Sequence, residues 1–370
     1  MSTLPAQSGC TCVKAHQPVG QSLAALHEEA LRREVLWALE DVAGEPLGLD
    51  KANDSPIPFE RRLSTVLHAV TSDHAVRLLS ASRSDLKAAL SRDGVAKAED
   101  GEAEPGLTDA EKLINAIGVK IMAAVQGDQR TLDAVKAAVG GMFGAAGKAA
   151  AKDFSQADFN KQLLSALQRQ TLFWIGDAYD TTLNGQILKV YQEVLRLGLG
   201  LEDATDAMVR ELGNGFKRTL YYWQIVSSAT VGRTRNYGYV EGYRKAKISR
   251  FRVVAIGDDR TCAVCSQMNG KTFEVSDAQD LIDTVTSATE PDDIRTANPW
   301  TNASRSSVAD GTIAVPVYGA KAEGQVRAPV VGYRSVDAND PAALVSAGVF
   351  LPPYHGLCRC RSVAAGNVLV

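Results

Sequence analysis

Asp258-Asp259-Arg260-Thr261-Cys262-Ala263-Val264-Cys265 and, far downstream, Pro352-Pro353-Tyr354-His355-Gly356-Leu357-Cys358-Arg359-Cys360 hold four of the six cysteines and one of the five histidines of this chain. A C-x-x-C turn sets two thiolates on one cation, and a distant H-x-x-C or C-x-C can complete a tetrahedral set. Such a site ties the end of the chain to a segment far back in sequence and staples a small domain. Cys262, Cys265, His355, Cys358 and Cys360 are five donors for four positions, and spacing does not choose between Cys358 and Cys360. A pair of disulfides and thiols that merely pack in a core are the other readings of the same clusters. No apolar signal-peptide run follows Met1-Ser2-Thr3-Leu4-Pro5, which points to a reducing compartment. There, clustered cysteines serve metal or redox chemistry, and the expectation is a structural zinc.

Working outward, the texture on either side of the first cluster is that of short strands. Residues 251–256 and 271–275 alternate or run apolar and read as strands joined through the C-x-x-C turn. Residues 313–317, 326–333 and 361–363 add short strands, with Gly, Ser, Pro and Asn between them, so irregular structure is expected to dominate. A domain of this kind has a thin core, where a structural metal matters most.

Upstream the periodicity is helical. Leu23, Leu26, Leu31, Val35, Leu36 and Leu39 recur at three-and-four spacing over 21–42, and 60–91 repeats the pattern with Leu63, Leu67, Val70, Leu79 and Leu86. Residues 1–20 read as a flexible tail, carrying a loose Cys10, Cys12 and His16 trio that is a poor metal holder. Residues 44–58 read as a connector, and the polar run 92–104 as a linker. Thr108-Asp109-Ala110-Glu111 has the form of a capping box. The Ala- and Gly-rich stretch 110–150 admits either close helix packing or a hinge. A helical region over 158–198, a turn, short helix and turn over 198–215, and a helix from 219 to about 245 complete the pass.

Net charge is −3, so composition signals no global affinity for nucleic acid. No run of eighteen apolar residues occurs, so no membrane span is expected. One local exception to the neutral balance is 233–252, where Arg233, Arg235, Arg244, Lys245, Lys247 and Arg250 surround the single acid Glu241, with tyrosines interleaved. Such a helix can track phosphates or dock on an acidic protein, or be a solvated face leaning on acidic neighbours. Asp258 and Asp259 beside the C-x-x-C read as turn formers that orient the thiolates, since carboxylates next to a metal serve that role more often than hydrolysis. His68 and His74 read as ordinary packing or surface histidines. The chain contains no P-loop, no G-x-S-x-G and no H-E-x-x-H.

The string from Asp258 to Phe273 resembles the hallmark of phage Mu F-like head morphogenesis proteins, minor capsid proteins of tailed phages. Pro352 to Cys360 match that family's closing pattern, Pro-Pro-x-His-x-x-Cys-Arg-Cys, and Thr230 to Asn236 look like its preceding helix. The likeness spans roughly 155–365 and is specific at the two clusters. It implies a head-morphogenesis domain over 151–370; with the tail 1–20, a helical region 21–104 and an Ala/Gly-rich helical segment 105–150 read from composition and periodicity, the expected fold class is α+β. That domain would have long helices to about 247 and a zinc-stapled α+β part over 248–370. The stretch between Cys265 and Pro352 is longer than in a minimal member, so 280–346 reads as an insertion. The resemblance further implies a non-enzymatic virion protein in the head interior or portal region, assembled in the host cytoplasm. Its partners would be the portal protein, a scaffold or major capsid protein, and packaged double-stranded DNA. The alternative is a zinc-dependent nuclease or toxin-like enzyme carried on a phage delivery module.

Overall fold

Thr108 stops being a loop residue because its side chain and that of Glu111 exchange hydrogen bonds with each other's backbone N–H, at 3.2 and 2.9 Å. This is the expected capping box, and it opens the helix Asp109–Gly127. In the computed structural model of the chain, the described residues are 55–92, 108–178, 201–217, 220–259, 261–321 and 328–365. Asn53–Val370 group as one compact unit. The expected tail with Cys10, Cys12 and His16, the helix over 21–42 and the core of the 92–104 linker lie outside the described residues.

The helices, in chain order, are α1 (Ile57–Ala81), α2 (Arg83–Arg92), α3 (Asp109–Gly127), α4 (Gln129–Ala150), α5 (Lys161–Ala178), α6 (Leu201–Lys217) and α7 (Leu220–Lys245). The single helix expected over 60–91 is two, interrupted at Ser82. The Ala/Gly-rich stretch is also two, because Asp128 adopts an extended conformation and its carboxylate accepts from the Arg130 N–H at 2.9 Å. His74 reaches the same carboxylate at 3.0 Å, tying α1 to this joint. α6 runs through Gly213 and Gly215 to Lys217, where a turn was expected. Its end is set by packing, with Leu212 and Phe216 buried, and propensity alone would have stopped it sooner.

α7 is the axis of the molecule. Trp223, Val226, Val231, Tyr237, Val240 and Tyr243 are all buried, so it is covered on nearly every side. The glycines decide how close α4 comes: a Cβ on Gly242 would lie 2.4 Å from Ala150 Cβ and 2.8 Å from the Gly147 carbonyl oxygen. One turn earlier, a Cβ on Gly238 would lie 2.7 Å from the Phe143 carbonyl oxygen. Of the two readings of the small-residue stretch, close packing is the one found.

After α7 come β1 (Arg250–Val254), α8 (Ala263–Met268), β2 (Thr272–Glu274), α9 (Val275–Ser287), α10 (Pro291–Ala297), β3 (Asn302–Ser307), β4 (Thr312–Tyr318), β5 (Val330–Asp337), α11 (Pro341–Ser346) and β6 (Arg361–Ala364). Two antiparallel three-stranded sheets result, in the orders β2-β1-β6 and β3-β4-β5. The fold class is α+β, as expected. The stretch 280–346 is not dominated by irregular structure: it holds most of α9, all of α10 and α11, and the whole second sheet. α10 and α11 each begin on a proline, whose fixed φ suits the first helical turn.

The first sheet is bonded to α7 through Ser362. Asn236 Oδ1 accepts from both the N–H and the Oγ of Ser362, each at 2.9 Å, and Tyr243 donates to the Ser362 carbonyl at 3.0 Å. Among the described residues no helix is long and apolar enough to cross a membrane.

Candidate metal centre

Cys262 is the N-cap of α8, its Sγ accepting from the Cys265 N–H at 3.5 Å, so the first helical turn carries both thiols to one side. The second cluster lies in the segment between α11 and β6. The Thr301 N–H and Oγ hold the Tyr354 carbonyl at 2.8 and 3.0 Å, and buried Tyr354 donates to the Phe350 carbonyl at 3.3 Å. A Cβ on Gly356 would sit 2.5 Å from Ile225, so this segment lies directly on α7.

These anchors bring all five expected donors together. His355 Nε2 is 3.2 Å from both Cys262 Sγ and Cys265 Sγ, and Cys265 Sγ is 3.7 Å from Cys358 Sγ. Cys262, Cys265 and His355 form one ligand-competent trio, and Cys265, Cys358 and Cys360 another, with Cys265 common to both. A tetrahedral cation with bonds of about 2.3 Å to sulfur requires thiolates about 3.8 Å apart, and the 3.7 Å between Cys265 and Cys358 suits an ion shared by those two. The four thiols are free rather than paired as disulfides. Cys265, Cys358 and Cys360 are buried, while Cys262 is partly accessible.

The electrostatics follow from the crowding. Hydrogen bonding from the Cys265 thiol, with a further contribution from His355, pulls Cys262 down to about 4 against the opposing effect of burial. Cys358 is held well below the ordinary thiol range by donation from Cys265 and Cys360. Cys265 and Cys360 are raised, Cys265 chiefly because it is the donor to its neighbours. Four sulfur donors and one imidazole are a donor set that can hold a soft metal ion.

Asp258 does not face the donors as a ligand. It forms a two-pronged ion pair with Arg359, at 2.6 and 2.7 Å, and accepts from Thr261 Oγ at 3.1 Å. Thr261 Oγ in turn accepts from the N–H groups of Gly257 and Asp258. A residue four before the first thiol thus grips the residue between the last two, clamping the two clusters from outside. Both partners were visible in the motifs, but their pairing across the chain was not. Arg260 lies outside the described residues.

No family model, curated protein or solved structure matches the chain.

The six basic residues singled out on 233–252 are not gathered into one free face. Arg233 is buried and donates to Asn298. Arg235 is half-buried, 5.6 Å over the Tyr239 ring. Arg244 pairs with Glu241 at 3.0 Å, Lys245 with Asp158 at 2.8 Å, and Arg250 with Glu274 at 3.1 Å. Lys247 is exposed at the turn after α7. Their proximity in sequence becomes divergence in space because 100° per residue spreads a helical run around the axis.

Proposed function

We propose that this chain is a phage minor capsid protein of the Mu F-like head morphogenesis type, held in shape by one structural zinc. The observation that carries the reading is the meeting of the two motif halves, with His355 Nε2 3.2 Å from both thiols of the C-x-x-C turn. Sulfur-rich ligation of this kind leaves a metal with little Lewis acidity and no open position, which favours a staple over a catalyst. Asp258, the nearest acid in the motif, is engaged by Arg359 and Thr261, and so lends no support to hydrolysis. In this reading the chain acts in procapsid assembly beside the portal protein, with a scaffold or major capsid protein as second partner, and resides in the head. Packaged double-stranded DNA is a further contact; the dispersal of the basic residues limits it to local ones.

Quantitative mass spectrometry of gradient-purified particles from cells making the chain tests this. Low-copy recovery with the portal is the expected result. Absence from both procapsids and finished particles, with the protein left free in the lysate, would overturn the assignment. Elemental analysis of the purified chain should give one zinc per chain.

A further inference from the structure

Away from the cysteines, α5, α7, α10, residues 298–304 and the β4–β5 hairpin enclose a cleft of about 560 Å³. That volume is typical of small-molecule sites. Among the described residues no carboxylate lines it, yet two guanidinium groups stand in its wall, Arg233 and Arg295, 4% and 7% exposed. Arg295 is balanced by Asp292 at 2.7 Å and lies over the Tyr318 ring at 4.4 Å. Arg233 has no such balance. It donates to the side chain and carbonyl of Asn298, both neutral, at 2.8 and 3.4 Å, and its Nε has no partner. Among the described residues no acid pairs with it. Arginine keeps its charge at any ordinary pH, so the fold buries a cation without a counter-charge, which is costly unless something supplies one.

The neighbouring polar atoms repeat the pattern. Trp174 and Trp300 stack at 5.1 Å and 9°, and neither indole N–H has an acceptor. Gln170 Nε2, in the small recess behind them, lacks one too. Every buried side-chain polar atom left unpartnered in these walls is therefore a donor. A water would meet some of the donors but not the charge. An inorganic anion would meet the charge but leave most of the cleft and its flat aromatic walls unused.

The geometry points to a binding site for a nucleoside monophosphate unit, its phosphate directed to Arg233 and its base laid against the aromatic walls that include Tyr318 and Tyr333. Guanidinium suits phosphate, and indole and phenol faces suit any base. The unit comes either from a free nucleotide or from the 5′ end of a single strand. This site is independent of the head-protein reading and needs no metal.

The test is titration of the full chain, by tryptophan fluorescence and calorimetry, with AMP, adenosine, inorganic phosphate, and one short oligonucleotide bearing either a 5′-phosphate or a 5′-hydroxyl. Saturable binding of AMP, unmatched by adenosine or phosphate, is expected. Arg233→Gln should weaken it at least about tenfold, the scale of one lost charged hydrogen bond. Tyr333→Ala, at an exposed position, should weaken it severalfold without affecting folding. Preference for the 5′-phosphorylated strand assigns the source to a strand end, and binding of AMP alone assigns it to the free nucleotide. Equal affinity for adenosine, equal competition by inorganic phosphate, or no saturable binding of any phosphate ligand overturns the proposal. The first two comparisons use the unaltered chain, so a misfolded Arg233 variant does not obscure them.

Discussion

Cys265 belongs to both donor trios, with Cys262 and His355 on one side and Cys358 and Cys360 on the other. Cys265→Ser, which removes the donor common to both trios, should therefore abolish stoichiometric zinc, while Cys358→Ser and Cys360→Ser, each removing one donor of a single trio, should weaken it; metal content after dialysis separates the cases. Asp258→Asn removes one charge of a half-exposed pair, so it should cost only about 1 kcal/mol in chemical denaturation. A different residue sets a pH dependence. Burial between α1 and α7 raises the Glu60 carboxyl from 4.5 to about 7, with the Arg235 charge and the Ser228 hydroxyl only partly opposing it. Between those values the folded chain keeps a proton that the unfolded chain releases, so stability falls as pH rises from 4.5 to about 7. Glu60→Gln should flatten that decline and raise the melting temperature above it, as scanning calorimetry on either side of the window will show. The five candidate donors were legible in the sequence because metal-binding chemistry confines donors to short motifs. That Cys358 and Cys360 both lie beside Cys265 was not, because one residue of spacing says nothing about where either Sγ points.

Among the elements, the contact of α4 with α7 depends most on a single atom. Gly242→Leu must push the Ala150 methyl and the Gly147 carbonyl apart, and should cost about 1–3 kcal/mol or more by overpacking. Gly213→Ala is its opposite: on α6 an added Cβ meets nothing within 4 Å, so the substitution should stabilise by about 0.5–1 kcal/mol. Urea denaturation of both variants checks the pair. Long helices were readable where apolar residues recur, as at Leu63, Leu67, Val70 and Leu79 along α1. Within 280–346, β4 and the start of β5 were readable as strands, but β3, α10 and α11 were not. β3 reads Asn-Ala-Ser-Arg-Ser-Ser, with no apolar alternation, and is held by pairing with β4. α10 is fixed by remote contacts, with Asp292 accepting from the Ala328 N–H at 2.8 Å and Arg295 donating to the Ala328 carbonyl at 3.2 Å.

For the whole molecule, the metal centre and the helical core meet on α7, yet different faces of it carry them. Chelation should therefore speed amide exchange first in the C-x-x-C turn and the His355–Cys360 segment, and leave α1, α3 and α4 protected; hydrogen exchange with and without chelator measures this. Equal protection in both states would count against a staple. The sequence by itself determined the helical periodicity, the capping box at Thr108, the α+β division and the five donors, because each is written in residues near one another or in a motif that chemistry restricts. Only the tertiary structure decided that Arg233 is buried against Asn298, that Asp258 grips Arg359, and that two tryptophans stack beside a cleft. Those depend on which distant segments share a core, and helical spacing states only that a face is apolar, never what it will meet.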